Sequence, residues 1–404
     1  MWLSGIDWAD DHHDIQVLDE AGHGVLQLHI AHNPSGIGQL LQALEQVVGS
    51  GSKEQMGCVI ETKQNLLITA LLAAGWPVYP VNPKSVDRWR SPAGAKSDQL
   101  DAYYLAKIGR SDWSQLVRLQ PDSELISELK QLTRDQQRLL SQHTRLINQL
   151  KACLKAYYPA ALHCFPKLAQ KSTLAFLRAY PTPEQAAQAT EQELVQVLKQ
   201  AGHTTATRVA PRVRHQLQQP ALRADAATSR AKARLLLALV PQLQVVLEQM
   251  AAYEQAIEEL WQQHPDHEQF ASLPGAGERL APRLLAELGD DPASFEDPQR
   301  WQRLAGSVPV LKQSGKQRSV SQRLACVKPL RDVLYLFALQ TIKHEPWCKQ
   351  YYRQKRKEGK SHAQALRALA SIWLRIICAM RRSGTYYQRE VFVASQHRHQ
   401  CPAA

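Results

Sequence analysis

From Leu125 onward, apolar side chains return at alternating steps of four and three residues. The series is Leu125, Leu129, Leu132, Gln136, Leu139, His143, Leu146, Leu150, Cys153 and Tyr157, interrupted only by Gln136 and His143. A seam of that period asks for one continuous helix. At 1.5 Å per residue such a helix is about 50 Å long, too long to be wrapped by one small core. A second seam runs through Leu239, Leu243, Val246, Met250, Tyr253, Ile257 and Leu260. The chain is therefore expected to be organised around two long helices that form an antiparallel hairpin, a dimer interface, or both. Two ordinary core helices are the plainer alternative.

The residues before the first seam have a different texture. Trp2–Asp7 is a short apolar run ending in an acid, and Ile15–Asp19 and Val25–Ile30 alternate apolar and polar around a turn at Glu20-Ala21-Gly22. That alternation predicts strands. Pro34–Val48 carries Ile37, Leu40, Leu41 and Leu44 at helical spacing. Gly57–Ile60 reads as a buried strand, Leu66–Ala74 as a helix closed by Gly75, and Val78–Val81 as a further strand. The order β-β-β-α-β-α-β is that of an RNase H-like mixed sheet. Between the two seams, about residues 160–228 read as a helical insert broken by Pro181, Pro183, Gly202, Pro211 and Pro220. After Phe270 the chain becomes compact and mostly helical again, ending in an amphipathic helix over Ala363–Arg382. The expected parts are 1–118, 119–268 with the insert inside it, 269–388, and a frayed tail over 389–404.

Composition narrows the partners. The 404 residues hold 49 Lys and Arg against 37 Asp and Glu, a net charge of +12, and a pI near 9.4. Such a balance favours a polyanion. Seven cysteines without a C-x-x-C pair argue against a zinc cluster or disulfide framework and suit a reducing cytoplasm. No run of about 18 uncharged apolar residues is seen, so a membrane span is not expected. The N-terminus has no basic start followed by an apolar stretch, so a secretory signal is not expected either.

Four acids stand out by position. Asp7 ends the first strand and Glu61 follows another buried strand. Asp98 and Asp101 lie three apart at the start of the helical stretch Ser97–Gly109, hence on one face. Acids so placed can converge in an α/β fold, where they repel unless cations neutralise them. Oxygen donors suit a hard cation such as Mg²⁺ and phosphoryl-transfer chemistry. His12-His13 beside Asp10 and Asp11 could suggest a metal site, but reads better as a solvated β-turn.

Several motifs together resemble the DEDD transposases of the insertion-sequence-110 family. They are Gly5-Ile6-Asp7, Ile60-Glu61-Thr62, Val81-Asn82-Pro83 and the string Lys96-Ser97-Asp98-Gln99-Leu100-Asp101-Ala102. Where that family often has Thr-Gly after the glutamate, this chain has Thr62-Lys63-Gln64. The resemblance implies a RuvC-like, RNase H-type N-terminal domain in which Asp7, Glu61, Asp98 and Asp101 hold Mg²⁺. Gly306-Ser307-Val308-Pro309 followed by Ser314-Gly315 resembles the C-terminal transposase domain of the same family, which makes Ser314 the nucleophile. The resemblance covers roughly 1–155 and 235–385. It implies a recombinase that cleaves and rejoins donor and target DNA through a phosphoserine link, guided by a bridge RNA. It also implies a homo-oligomer, a dimer that becomes a tetramer at synapsis, in the bacterial cytoplasm and on the nucleoid when bound.

Other residues are nucleic-acid contact candidates. Leu273-Pro274-Gly275-Ala276-Gly277 resembles a helix-hairpin-helix turn, where Gly275 and Gly277 would let backbone N–H groups meet a phosphate. Lys312, Lys316, Arg318 and Arg323 surround the serine with positive charge, and Gly315 beside it is a further contact candidate. Arg331 lies on the next helix. Lys349 and Arg353 share a basic, aromatic helix with Trp347, Tyr351 and Tyr352. Three rival functions remain: a DNA invertase of the pilin-gene type, a RuvC-like Mg²⁺-dependent junction nuclease that needs no serine, and a non-enzymatic nucleic-acid scaffold.

Overall fold

A computed structural model of the chain describes residues 1–62, 65–81, 86, 97–220, 222–314, 317–392 and 394. Contacts divide it into two units, Met1–Pro121 and Asp122–Ala404.

The first unit is a five-stranded mixed sheet. Its strands are β1 (Trp2–Trp8), β2 (His12–Leu18), β3 (Gly24–Ala31), β4 (Met56–Ile60) and β5 (Val78–Pro80), in the spatial order β3-β2-β1-β4-β5. β1, β2 and β3 form an antiparallel meander, while β4 and β5 run parallel to β1. The predicted element order is present. Side chains alternate across the sheet. Ile6, Ile15, Val17, Cys58 and Ile60 join Leu40 and Leu44 of helix α1 (Pro34–Val48) and Leu67 and Leu71 of helix α2 (Leu66–Ala73) in one core. The opposite face meets helix α3 (Asp98–Ser111), where Val59 packs with Leu105 and Ile108. Gly5 lets that helix lie directly on β1. A Cβ there would stand 2.0 Å from the Ala102 carbonyl oxygen and 2.3 Å from the Ala106 nitrogen.

β2 begins at His12, three residues before the expected Ile15. The solvated-turn reading of His12-His13 is therefore corrected: both residues are in the strand, and His13 is fully buried. Its Nε2 lies 2.8 Å from His32 Nδ1, and burial pushes its pKa down to about 4, so the ring is neutral near pH 7.

The second unit is built on helices α4 (Glu124–Tyr157) and α10 (Ala226–Gln263), which carry the two seams and pack antiparallel within one chain. Ile126 and Leu129 share a core with Ile257 and Trp261 at one end. Leu150 and Cys153 share another with Leu236 and Val240 at the other. The insert helices α5 (Pro159–Cys164), α6 (Lys171–Ala179), α7 (Pro183–Gln188), α8 (Glu191–Gln200) and α9 (Ala206–Leu217) close over that second end. Pro211 does not break the insert as expected: it sits inside α9, whose apolar face, Ala206, Ala210, Val213 and Leu217, stays continuous and buried.

The first end is covered by α11 (His267–Ala271), α12 (Gly277–Leu288), α13 (Pro298–Leu304), α14 (Lys328–His344), α15 (Pro346–Lys357) and α16 (His362–Ser383). Arg134 of α4 donates to both carboxylate oxygens of buried Glu287 on α12, at 2.7 and 2.9 Å. Strands β6 (Val310–Ser314) and β7 (Gln317–Ser321) form an antiparallel hairpin where the sequence pattern shows only a loop. Among the described residues two helices, α10 and α16, pass a test of length and mean hydropathy for crossing a membrane, although neither is an uncharged apolar run. Both place apolar faces in cores, α10 in part and α16 more fully.

Candidate active site

The acidic candidate residues lie on a sheet face and on the helix over it, α3. Leu3, Gly5 and Asp7 alternate toward that helix along β1. Gly57 and Val59 lie beside Leu3 and Gly5 on β4, so the same alternation directs Glu61, just past the strand end, toward the same side. Ser97 caps α3, its hydroxyl accepting from the Leu100 N–H at 3.3 Å. That cap fixes the first turn, which carries exposed Asp98 and buried Asp101.

The electrostatics report the convergence. The carboxyl of Asp7 is pushed up to about 7, first by burial and then by Asp101, Asp98, Glu61 and Asp14. Three of these four acids are the expected partners of Asp7. The fourth, Asp14, was not among the expected residues. It lies directly opposite Asp7 in the β1–β2 register and is itself buried. Starting β2 at His12 would have placed positions 12, 14 and 16 on the α3 face and found it. All these donors are carboxylate oxygens, a set that fits a hard divalent cation, and crowded anions at a half-buried position gain most from one.

The remaining candidate residues lie in the helical unit. Ser314 is exposed at the last position of β6, paired with Gln317, at the tip of the hairpin. Arg318 is exposed on β7. Arg323 lines a cavity of about 900 Å³ together with Lys355, Lys360, Arg367 and Arg375, against one acid, Asp297. Tyr351 joins that lining, with Lys355 Nζ 5.4 Å from its ring centre. Lys349 and Arg353 are exposed on α15, and Arg331 is held by Asp332 at 3.0 and 3.1 Å. Gly275 and Gly277 both have positive φ, which favours glycine; a Cβ at Gly275 would also stand 2.6 Å from the His344 ring, whereas around Gly277 there is open space. Lys360, Arg367 and Arg375 were missed because three separate segments bring the cavity's walls together. The side chain of Lys312, the residues Gly315 and Lys316, the pieces Asn82-Pro83, Lys63-Gln64 and Lys96, and the tail from His397 lie outside the described residues.

An acidic sheet face followed by a basic helical unit is the make-up of a transposase that works on DNA, and known proteins agree. Residues 4–159 match the family model for DEDD transposases of the IS110 type, described as "Transposase". Residues 267–353 match "Transposase IS116/IS110/IS902 family". The chain is 33% identical, over 92% of its length and 91% of the relative's, to the mini-circle protein of IS117 from Streptomyces coelicolor, whose name assigns it as a putative transposase. It is 26% identical to the 42 kDa protein of insertion element IS900 from Mycobacterium paratuberculosis, with 95% and 96% covered. The chain belongs to the IS110-type transposase family.

Proposed function

We propose that this transposase cuts and rejoins DNA by two successive phosphoryl transfers, with Ser314 as the nucleophile and Asp7, Glu61, Asp98 and Asp101 as ligands of Mg²⁺. The observation that carries this reading is the crowding of Asp7 by those three acids. When bound, Mg²⁺ supplies charge neutralisation and Lewis acidity at the scissile phosphate.

The Oγ of Ser314 attacks phosphorus, its proton passes to solvent or to a neighbouring base, and the 3′ oxygen leaves as a hydroxyl. The product is a phosphoserine ester. A 3′-hydroxyl then attacks that ester and releases the serine. One phosphodiester is exchanged for another, so no external energy source is required. Ser314 is exposed, as an attacking group must be. The acids and the serine must meet on one phosphodiester, within a chain or between chains of a dimer or tetramer. The working parts are 1–118 for the RuvC-like acids, 119–268 for the long helices and 269–388 for the serine. The basic cavity supports phosphate contacts that do not select sequence. Base pairing by a bridge RNA then chooses donor and target in the cytoplasm.

The test uses full-length protein, the RNA encoded beside its gene, and DNA carrying the element ends. Cleavage should require Mg²⁺ and be lost in Asp101→Asn. Cleavage that survives this change would remove Asp101 from the metal set, and a wild type that binds nucleic acid without ever cleaving it would be a scaffold. Inversion of a flanked segment, with no movement of an element, would instead assign the same chemistry to an invertase.

A further inference from the structure

The α3 face of the sheet continues past Asp7 into a second set of donors. Asp14 lies opposite Asp7 on one side and opposite His29 on the other, so Asp7, Asp14 and His29 form a row across β1, β2 and β3. His12, two residues from Asp14, shares that face. The Asp14 side chain is only 5% exposed, and among the described residues its one side-chain hydrogen-bond partner is His29 Nδ1, 3.2 Å from each oxygen. His12 Nε2 stands 3.9 Å away, beyond hydrogen-bond range. The two imidazole rings are 4.9 Å apart between centres.

We propose that His12, Asp14 and His29 form a binding site for a divalent transition cation of the zinc class, beside the carboxylate set and touching it only at Asp98. One ligand atom from each of the three lies within 4.8 Å of the others. Ligands of a tetrahedral zinc at about 2.0–2.1 Å sit roughly 3.3 Å apart. The His29–Asp14 spacing already meets that, whereas His12 stands 3.9 Å from Asp14 and within 4.8 Å of His29, so its ring must close by about 0.6 Å on the first and by up to about 1.5 Å on the second. His29 is largely exposed and free to turn inward. The orientation of His12 is also suited to a ligand: its Nδ1 is 2.6 Å from Asp11 Oδ1, which leaves Nε2 as the donor toward the site. A carboxylate on the far ring nitrogen is the usual support of a metal-bound histidine. His12 Nε2 also lies 3.3 Å from Asp98 Oδ2, so Asp98 is within reach as a fourth donor and joins the two sites. Two imidazoles favour zinc-class cations over Mg²⁺, which prefers oxygen.

The test is a titration of metal-free full-length protein with Co²⁺, read by visible absorption. The wild type should bind one equivalent with intense, imidazole-type tetrahedral absorption, displaced by Zn²⁺ and retained in excess Mg²⁺. His29→Gln and His12→Gln should each abolish that signal, with circular dichroism unchanged. Asp11→Asn should weaken binding about 10–100-fold. Asp7→Asn should keep the signal, which separates this site from the proposed Mg²⁺ chemistry. No such absorption in the wild type would mean that the histidines serve Asp14 only as hydrogen-bond or cationic partners. Retention of the signal in His29→Gln, or displacement by Mg²⁺ at parity with Zn²⁺, would equally overturn the proposal.

Discussion

Asp7 is the residue through which metal, pH and stability are linked. Its carboxyl sits at about 7 in the folded chain against an ordinary 3.8. Between those values the folded state holds more protons than the unfolded one, so its contribution to stability is present below 3.8 and is lost as pH rises toward 7. Metal-free protein should therefore lose more thermal stability across that window than Asp7→Asn does. Mg²⁺ should flatten the difference by favouring the charged form. Melting curves of both proteins, with and without Mg²⁺, check this, and parallel curves in the absence of metal would contradict it. The gathering of Glu61, Asp98 and Asp101 around Asp7 was legible because a strand end and a helix start are places where sequence pattern fixes direction. Asp14 was not, because Asp10-Asp11-His12-His13 looks like solvent-facing chain and hides the start of β2.

The arrangement of elements depends on how closely α3 lies on β1. Gly5→Ala would force its Cβ against the Ala102 carbonyl, which belongs to backbone and cannot turn aside. Overpacking of this kind costs about 1–3 kcal/mol, and the shift of α3 should carry Asp98 and Asp101 out of place. Denaturant unfolding should register the loss, together with weaker Mg²⁺ binding; a variant of wild-type stability would show that α3 is not fixed there. Elsewhere, Arg134→Ala should cost about 3–5 kcal/mol because it strands the buried carboxylate of Glu287. Most elements could be read from the sequence because burial writes a period into it. The β6–β7 hairpin could not: β7 is exposed at every position, and Leu311 and Val320 are themselves exposed at 50% and 64%. Without a buried face there is no period.

At the scale of the whole molecule, a net charge of +12 becomes a function only where cations are gathered. The cavity lined by Arg323, Lys355, Lys360, Arg367 and Arg375 gathers them from three stretches of chain, so charge counting could announce a polyanion but not locate it. Arg367→Ala and Arg375→Ala should each lower the slope of log affinity for DNA or RNA against log salt by about 0.7–0.9 for every phosphate that is no longer neutralised, with similar effect on unrelated sequences. A salt slope equal to the wild type would remove the cavity from the nucleic-acid surface. The two long helices were legible as seams, and their antiparallel packing within one chain answers one of the two roles expected of them.

The most direct measurement is the covalent state of the protein after reaction. Full-length chain is incubated with its DNA, Mg²⁺ and RNA, denatured, and resolved by size. The wild type should carry a protein–DNA adduct that maps to Ser314, and Ser314→Ala should carry none while still binding DNA. An adduct of wild-type yield in Ser314→Ala, or cleavage by the wild type with no adduct at any time, would contradict the account.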